Sequence, residues 1–204
     1  MVHNSETEDF WSGEFGNEYI SRNIDTDLLS SNFHFFSTAL GKLNSIPNSI
    51  LELGANVGMN IIPLMKLFPK AQITGVDINV KACEELAKTG CEVINSSIKE
   101  LVMDNEHDLV FTKTVLIHID PEELKSVYQK IYQSSKKYIL IAEYYSTTPT
   151  TVEYRGFSNK LFKRDFAGEL MDLYPNLKLI DLGFSYHKSI FSQDDINWFV
   201  LEKI

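Results

Sequence analysis

The sequence predicts an α/β fold built on a mostly parallel sheet with helices on both faces. Three observations carry this expectation. From Ser49 onward, short apolar runs alternate with stretches of helical period, the signature of strand–helix–strand units. The run Tyr138-Ile-Leu-Ile-Ala142 is apolar without a break, as a strand buried on both faces should be. The last two strand-like runs, at 177–187 and 197–203, flank a loop with no helical pattern and read as a hairpin. A hairpin there adds one antiparallel pair to parallel strands joined by right-handed crossovers, seven strands in all.

Taken in order, the first ~45 residues read as a helical extension. Asp25 or Thr26 is placed to cap a helix whose apolar positions are Leu28, Leu29, Phe33, Phe36 and Leu40. Strands are expected at Ser49–Leu53, Gln72–Asp77, Glu92–Asn95, Asp108–Thr112 and Lys137–Glu143. Between them lie helical patterns at Met59–Phe68, Val80–Lys88 and Pro121–Ser134, the last with Asp120 as its cap. Ser146–Thr151 reads as a loop, and a further helix is expected near Lys163–Leu173. At 204 residues the whole chain, 1–204, is expected to form one domain: extension 1–45 and core 46–204.

Composition narrows the function classes. A net charge of −9 disfavours a polyphosphate partner, and the one basic patch (Arg155, Lys160, Lys163, Arg164) is too small for a duplex track. No apolar run reaches the ~18–20 residues of a membrane span. The polar, acidic start does not read as a signal peptide, and two cysteines make no disulfide framework. The expectation is a cytoplasmic protein without metal, acting on a small molecule, with its oligomeric state open.

The most informative segment is Ile50-Leu-Glu-Leu-Gly-Ala-Asn-Val-Gly-Met59, a strand running into a loop and then a helix. Gly54 and Gly58 let the backbone approach a ligand without a Cβ in the way, and such strand ends are where open α/β sheets bind. A dinucleotide fingerprint would put its second glycine where Asn56 stands, so the pyrophosphate would lose its closest approach. The acidic Glu52 beside the loop suits a cationic ligand better. Asp77 ends the second strand 23 residues after Gly54, placed to accept both hydroxyls of a ribose, with Ile78 beside it. Each of these features alone would equally be a turn or a helix cap; in this order and spacing they predict a ligand site. Asn95, Ser96 and Ser97 end the third strand, as adenine ligands or as a helix cap. Thr112 and Lys113 leave the fourth strand at the ligand edge.

These motifs resemble those of class I S-adenosylmethionine-dependent methyltransferases, whose Rossmann-like seven-stranded sheet ends in an antiparallel hairpin. The resemblance implies S-adenosyl-L-methionine as cofactor, held by Glu52, Gly54, Ala55, Asn56, Gly58, Asp77, Ile78, Asn95, Ser96, Ser97, Thr112 and Lys113. More narrowly, Phe10-Trp-Ser-Gly-Glu-Phe-Gly-Asn-Glu-Tyr-Ile-Ser-Arg-Asn23 is similar to the pseudaminic acid biosynthesis-associated methylases. So are Glu153-Tyr-Arg-Gly156, Leu161-Phe-Lys-Arg-Asp-Phe-Ala-Gly-Glu169 and Asp194-Asp-Ile-Asn-Trp198. This implies methyl transfer to a sugar or nucleotide-sugar of nonulosonic acid synthesis. Tyr19 and Arg22 then read as cofactor-binding residues of a lid, with Arg22 alternatively taking the methionine carboxylate and Tyr19 alternatively packing on the sheet edge. Tyr144, Tyr154, Arg155 and Arg164 are acceptor-binding candidates, and Lys160 to Arg164 equally a solvated helix start. An acceptor hydroxyl would need a base, for which Glu143, Tyr145 and His118 lead and Tyr144 and His187 follow. The rival readings are a non-catalytic scaffold in glycan synthesis, methylation of an amino acid or natural-product intermediate, and a nicotinamide-linked sugar enzyme. The last is disfavoured by the absence of a G-x-G-x-x-G run.

Overall fold

The computed structural model describes residues 5–20 and 26–204. Two short helices, α1 (Glu6–Ser12) and α2 (Glu14–Ile20), precede a longer α3 (Thr26–Ala39). The core follows as β1 (Ser49–Leu53), α4 (Ile61–Leu67), β2 (Gln72–Asp77), α5 (Val80–Ala87), β3 (Glu92–Asn95) and β4 (His107–Lys113). A 3₁₀ turn at Leu116–His118 leads to α6 (Leu124–Ser134) and β5 (Ser135–Glu143). The chain ends with β6 (Thr150–Tyr154), β7 (Phe157–Lys163), α7 (Phe166–Leu173), β8 (Leu177–Ser185) and β9 (Ile196–Lys203).

Seven strands form one sheet in the order β3-β2-β1-β4-β5-β9-β8. The first five are parallel, and β9 runs antiparallel between β5 and β8. The order reverses at β1, which pairs with β2 on one side and β4 on the other, so ligand space opens where these strands end. The expected β2 and β3 match the observed spans; β4 and β5 each extend beyond theirs.

The period of two along each strand sorts side chains onto two cores. Leu51, Leu53, Val110, Ile139 and Ile141 face α6 and α7 with Val127, Ile131, Phe166 and Leu170. Ile50, Ile73, Leu109, Phe111, Tyr138 and Leu140 face the opposite layer with Phe35, Phe36, Ile61, Leu64 and Leu86. By the same parity Glu52 and Lys113 fall on the α3–α5 face, whereas Thr112 and Glu143 fall on the α6 face.

Four local expectations are corrected. Residues 150–163, expected as a loop and a helix start, form the hairpin β6–β7, a separate two-stranded sheet. Its turn places Arg155 (φ 52°) and Gly156 (φ 85°) in the left-handed region, a turn signal the threonine-rich composition hid. Lys160 therefore lies in a strand, buried, and not on a solvated helix. The helix expected from Pro121 begins at Leu124, because Asp120 instead closes a tight turn on the Glu122 amide at 2.9 Å. In α3, Phe33 faces solvent and Phe35 takes the core position expected for it. Asp25, one of the two proposed caps, lies outside the described residues.

Candidate active site

A cleft of about 450 Å³ opens at the ends of β1, β2 and β4 and is closed over by α1, α2 and the β8–β9 loop. Its floor is the glycine loop. Gly54 has φ 80°, and a Cβ built there would meet Val115 Cγ2 at 2.5 Å, so glycine is required for both conformation and space. Asn56 has φ 46°, a left-handed conformation that asparagine tolerates better than most residues. This explains how a loop lacking a glycine at that position still makes the turn.

Asp77 ties the floor together. Its Oδ2 accepts from the Asn56 amide at 2.7 Å and its Oδ1 from the Asn79 amide at 2.8 Å. Both loops flanking the cleft are thereby pinned to one carboxylate that also lines it. Burial pushes its pKa up while the amide hydrogen bonds oppose the shift. Ala55, Ile78, Ser96 and Ser97 line the same end. Across it, Glu8 of α1 accepts from the Ser97 hydroxyl, and Lys99 bridges Glu8 at 3.0 Å and Glu123 at 2.6 Å. These bonds hold the amino-terminal helix over the cleft.

Beneath the loop, Glu52 is fully buried and accepts from Asn60 Nδ2 at 2.6 Å. Burial raises its pKa to about 8. Its Oε2, Asn56 Oδ1 and Asn60 Oδ1 are buried acceptors without a hydrogen-bond partner among the described residues. Three orphaned acceptors gathered at one cleft floor fit a ligand bearing cationic donors and would repel a phosphate. Lys113 lines the α3 side of the cleft over the Phe35 ring, its pKa lowered to about 8 by burial.

Residues 50–137 match the family model described as a methyltransferase domain. Magnesium protoporphyrin IX methyltransferase from Synechocystis PCC 6803, solved with bound SAM, matches with a TM-score of 0.70 at 12% identity, covering 100% of both chains. The plantazolicin methyltransferase BpumL, in complex with a pentazolic desmethylPZN analog and SAH, matches with a TM-score of 0.67 at 15% identity over 97% of this chain and 94% of that one. The 1,6-didemethyltoxoflavin-N1-methyltransferase of Burkholderia thailandensis matches with a TM-score of 0.67 at 13% identity over 97% and 86%. These likenesses establish the fold that the chain shares with those proteins. No curated protein matches the chain by sequence.

The cleft gathers some of the sequence-predicted residues and leaves others out. Tyr19, Gly54, Ala55, Asn56, Asp77, Ile78, Ser96, Ser97, Lys113 and His118 line it. Gly58 and Glu52 lie just behind the loop. Asn95 does not reach the cleft: its amide donates to the carbonyls of Asp77 and Ile78 at 3.0 and 3.1 Å, bracing the strand ends. Thr112 is fully buried on the opposite sheet face, beside Glu143. Arg22 lies outside the described residues.

Glu143 and Tyr145, proposed as catalytic, are both outside the cleft lining. Glu143 accepts from the Val115 and Leu116 amides at 3.1 Å each and from Ile117 at 3.4 Å, so its carboxylate caps the 3₁₀ turn. Tyr145 bridges by its backbone to Arg164 and packs on Phe199. Tyr144 donates its hydroxyl to Asp194 at 2.9 Å, behind the wall. Arg155 sits at the β6–β7 turn over the Tyr154 ring, and Arg164 is paired with Glu169 at 2.7 Å. Neither arginine is free in the cleft as an acceptor-anion site. The Tyr154 ring lies tilted against those of His118 and Trp11, with centroids 4.8 and 6.3 Å away.

His118 is in the cleft, but as a neutral ring. Its Nδ1 donates to the Lys160 carbonyl at 2.6 Å, and burial lowers its pKa to about 4. Lining residues that sequence reasoning passed over include Trp11, Asn32, Asn60 and the 192–194 segment. The aromatic spacing of α1 and α2 signals Trp11; the 192–194 loop carries no such signal.

Proposed function

We propose that this chain is an S-adenosylmethionine-dependent methyltransferase acting on a small-molecule acceptor, a sugar or nucleotide-sugar of nonulosonic acid synthesis. The observation that carries the cofactor part is Asp77: a carboxylate at the end of β2, held by amides of both flanking loops and exposed to the cleft. The orphaned acceptors of Glu52, Asn56 and Asn60 support it, because the amino-acid end of this cofactor is cationic. The acceptor class rests on the resemblance of residues 10–23, 153–169 and 194–198 to the methylases of that pathway.

When bound, the cofactor supplies a methyl group activated on a sulfonium. The chain supplies position and desolvation. Asp77 holds the ribose, the Gly54 turn receives the amino-acid end, and Glu52 with Asn60 balances its ammonium. Trp11 and Tyr19 close the cleft from above, excluding water from the sulfonium.

The test is a calorimetric titration with S-adenosylhomocysteine. Wild type binds, and Asp77→Ala weakens binding by about 100-fold or more, as expected for two charge-assisted hydrogen bonds. Equal affinity in both proteins would refute the assignment. Release of S-adenosylhomocysteine with free sugars and nucleotide-sugars as acceptors then tests the acceptor class.

A further inference from the structure

We propose that His187, oriented by Asp195, is the proton acceptor of the methyl-transfer reaction; this rests on the cofactor reading above. His187 lines the cleft from the β8–β9 loop. Its Nδ1 lies 2.8 and 2.9 Å from the two oxygens of Asp195, and its backbone amide donates to the same carboxylate at 3.0 Å. A carboxylate accepts and cannot donate, so Nδ1 carries the hydrogen in the neutral ring. The lone pair is then on Nε2, the arrangement of a base with its orienting acid. The imidazole is half exposed and Tyr186 packs edge-on against it at 4.7 Å. The charged groups around the pair are Asp194 on the same loop, Lys163 at the end of β7, which acts on Asp195, and Lys113 across the cleft.

Elimination points the same way. Every other basic group of the described cleft wall has another occupation. Glu143 is held by three amides outside the cleft, and His118 is a buried ring poor in basicity. Asp77 is pinned to the floor, and Glu8 and Glu123 are paired with Lys99. Asp194 already accepts the Tyr144 hydroxyl. Burial lowers the Lys113 pKa to about 8 against the opposing charges of Glu52, Asp194 and Glu143, so below that pH it already carries its proton and cannot accept another.

In the reaction, an acceptor hydroxyl or ammonium gives its proton to His187 Nε2. The acceptor's lone pair forms the new bond to the methyl carbon, and the departing sulfur keeps the electrons of the broken bond. The imidazolium is stabilised by Asp195 and returns its proton to solvent after product leaves.

Two measurements on the full chain test this. The first needs no acceptor: imidazole ¹⁵N spectra of the S-adenosylhomocysteine complex at pH 8.5. His187 is expected as the Nδ1–H tautomer, and Asp195→Asn is expected to shift it toward the other form. A wild-type Nε2–H tautomer, or spectra indifferent to Asp195→Asn, would overturn the proposal. The second is turnover of methyl-labelled cofactor against a pool of free sugars and nucleoside-diphosphate sugars. His187→Gln should lower it by about 100-fold without changing S-adenosylhomocysteine affinity, and added imidazole should partly restore a His187→Gly variant. Wild-type turnover in His187→Gln overturns the base while leaving the cofactor reading intact. Loss of S-adenosylhomocysteine binding in wild type would instead sink the cofactor reading.

Discussion

Replacing Glu143 separates a capping role from a chemical one. The carboxylate accepts three backbone N–H groups, two at 3.1 Å on Oε1 and one at 3.4 Å on Oε2, in a fully buried setting. Glu143→Ala leaves those amides without partners, and each buried unsatisfied amide costs about 1–3 kcal/mol. The Val115 amide is only part-buried, which keeps the sum over the three amides in the lower half of its range, about 3–5 kcal/mol. For a chain of this size that is a fall in Tm of about 6–20 °C. Glu143→Gln retains an acceptor for the Val115 and Leu116 amides and faces its NH₂ only against Ile117. Its loss should be about 1 kcal/mol, a few degrees at most. Calorimetry reads both, and turnover is measured well below either Tm. The reasoning fails if Glu143→Ala melts with wild type, or if Glu143→Gln melts with wild type yet loses turnover.

Three further outcomes follow from the same geometry. Asn56→Ala should lower Tm by a few degrees, because alanine at φ 46° costs about 1–2 kcal/mol, whereas Asn56→Gly should not. Glu52 holds its proton to about pH 8 in the folded protein, and a ligand ammonium beside it favours the charged form. S-adenosylhomocysteine binding at pH 7 should therefore release a proton, seen as a buffer-dependent enthalpy and lost in Glu52→Gln. Glu52 and Glu143 have folded pKa values of about 8 and about 7, above the ordinary 4.5, so the folded state binds more protons and stability falls as pH rises through that window. His118, lowered to about 4 from 6.5, acts oppositely: its contribution is present above pH 6.5 and is lost as pH falls toward 4. Melting temperatures should peak on the mildly acidic side, with a shallower alkaline decline in Glu52→Gln.

What the sequence by itself determined was local and periodic. Apolar runs with strand period, helical stretches between them, and the Gly54–Gly58 loop ahead of Asp77 gave the α/β architecture and its binding edge, because each depends on neighbours a few residues away. Strand parity alone also puts Lys113 and Glu52 on one sheet face and Glu143 on the other, toward the amides it caps. The tertiary structure decided which polar groups were already taken. Glu143 meets amides 26 to 28 residues upstream, Lys160 meets Glu6 across 154 residues, and the β6–β7 hairpin binds the helical extension through that pair. It also placed Asp195 behind His187. Buried charges and hydrogen-bonding groups must find partners wherever the folded chain brings them, and no local pattern encodes that distance.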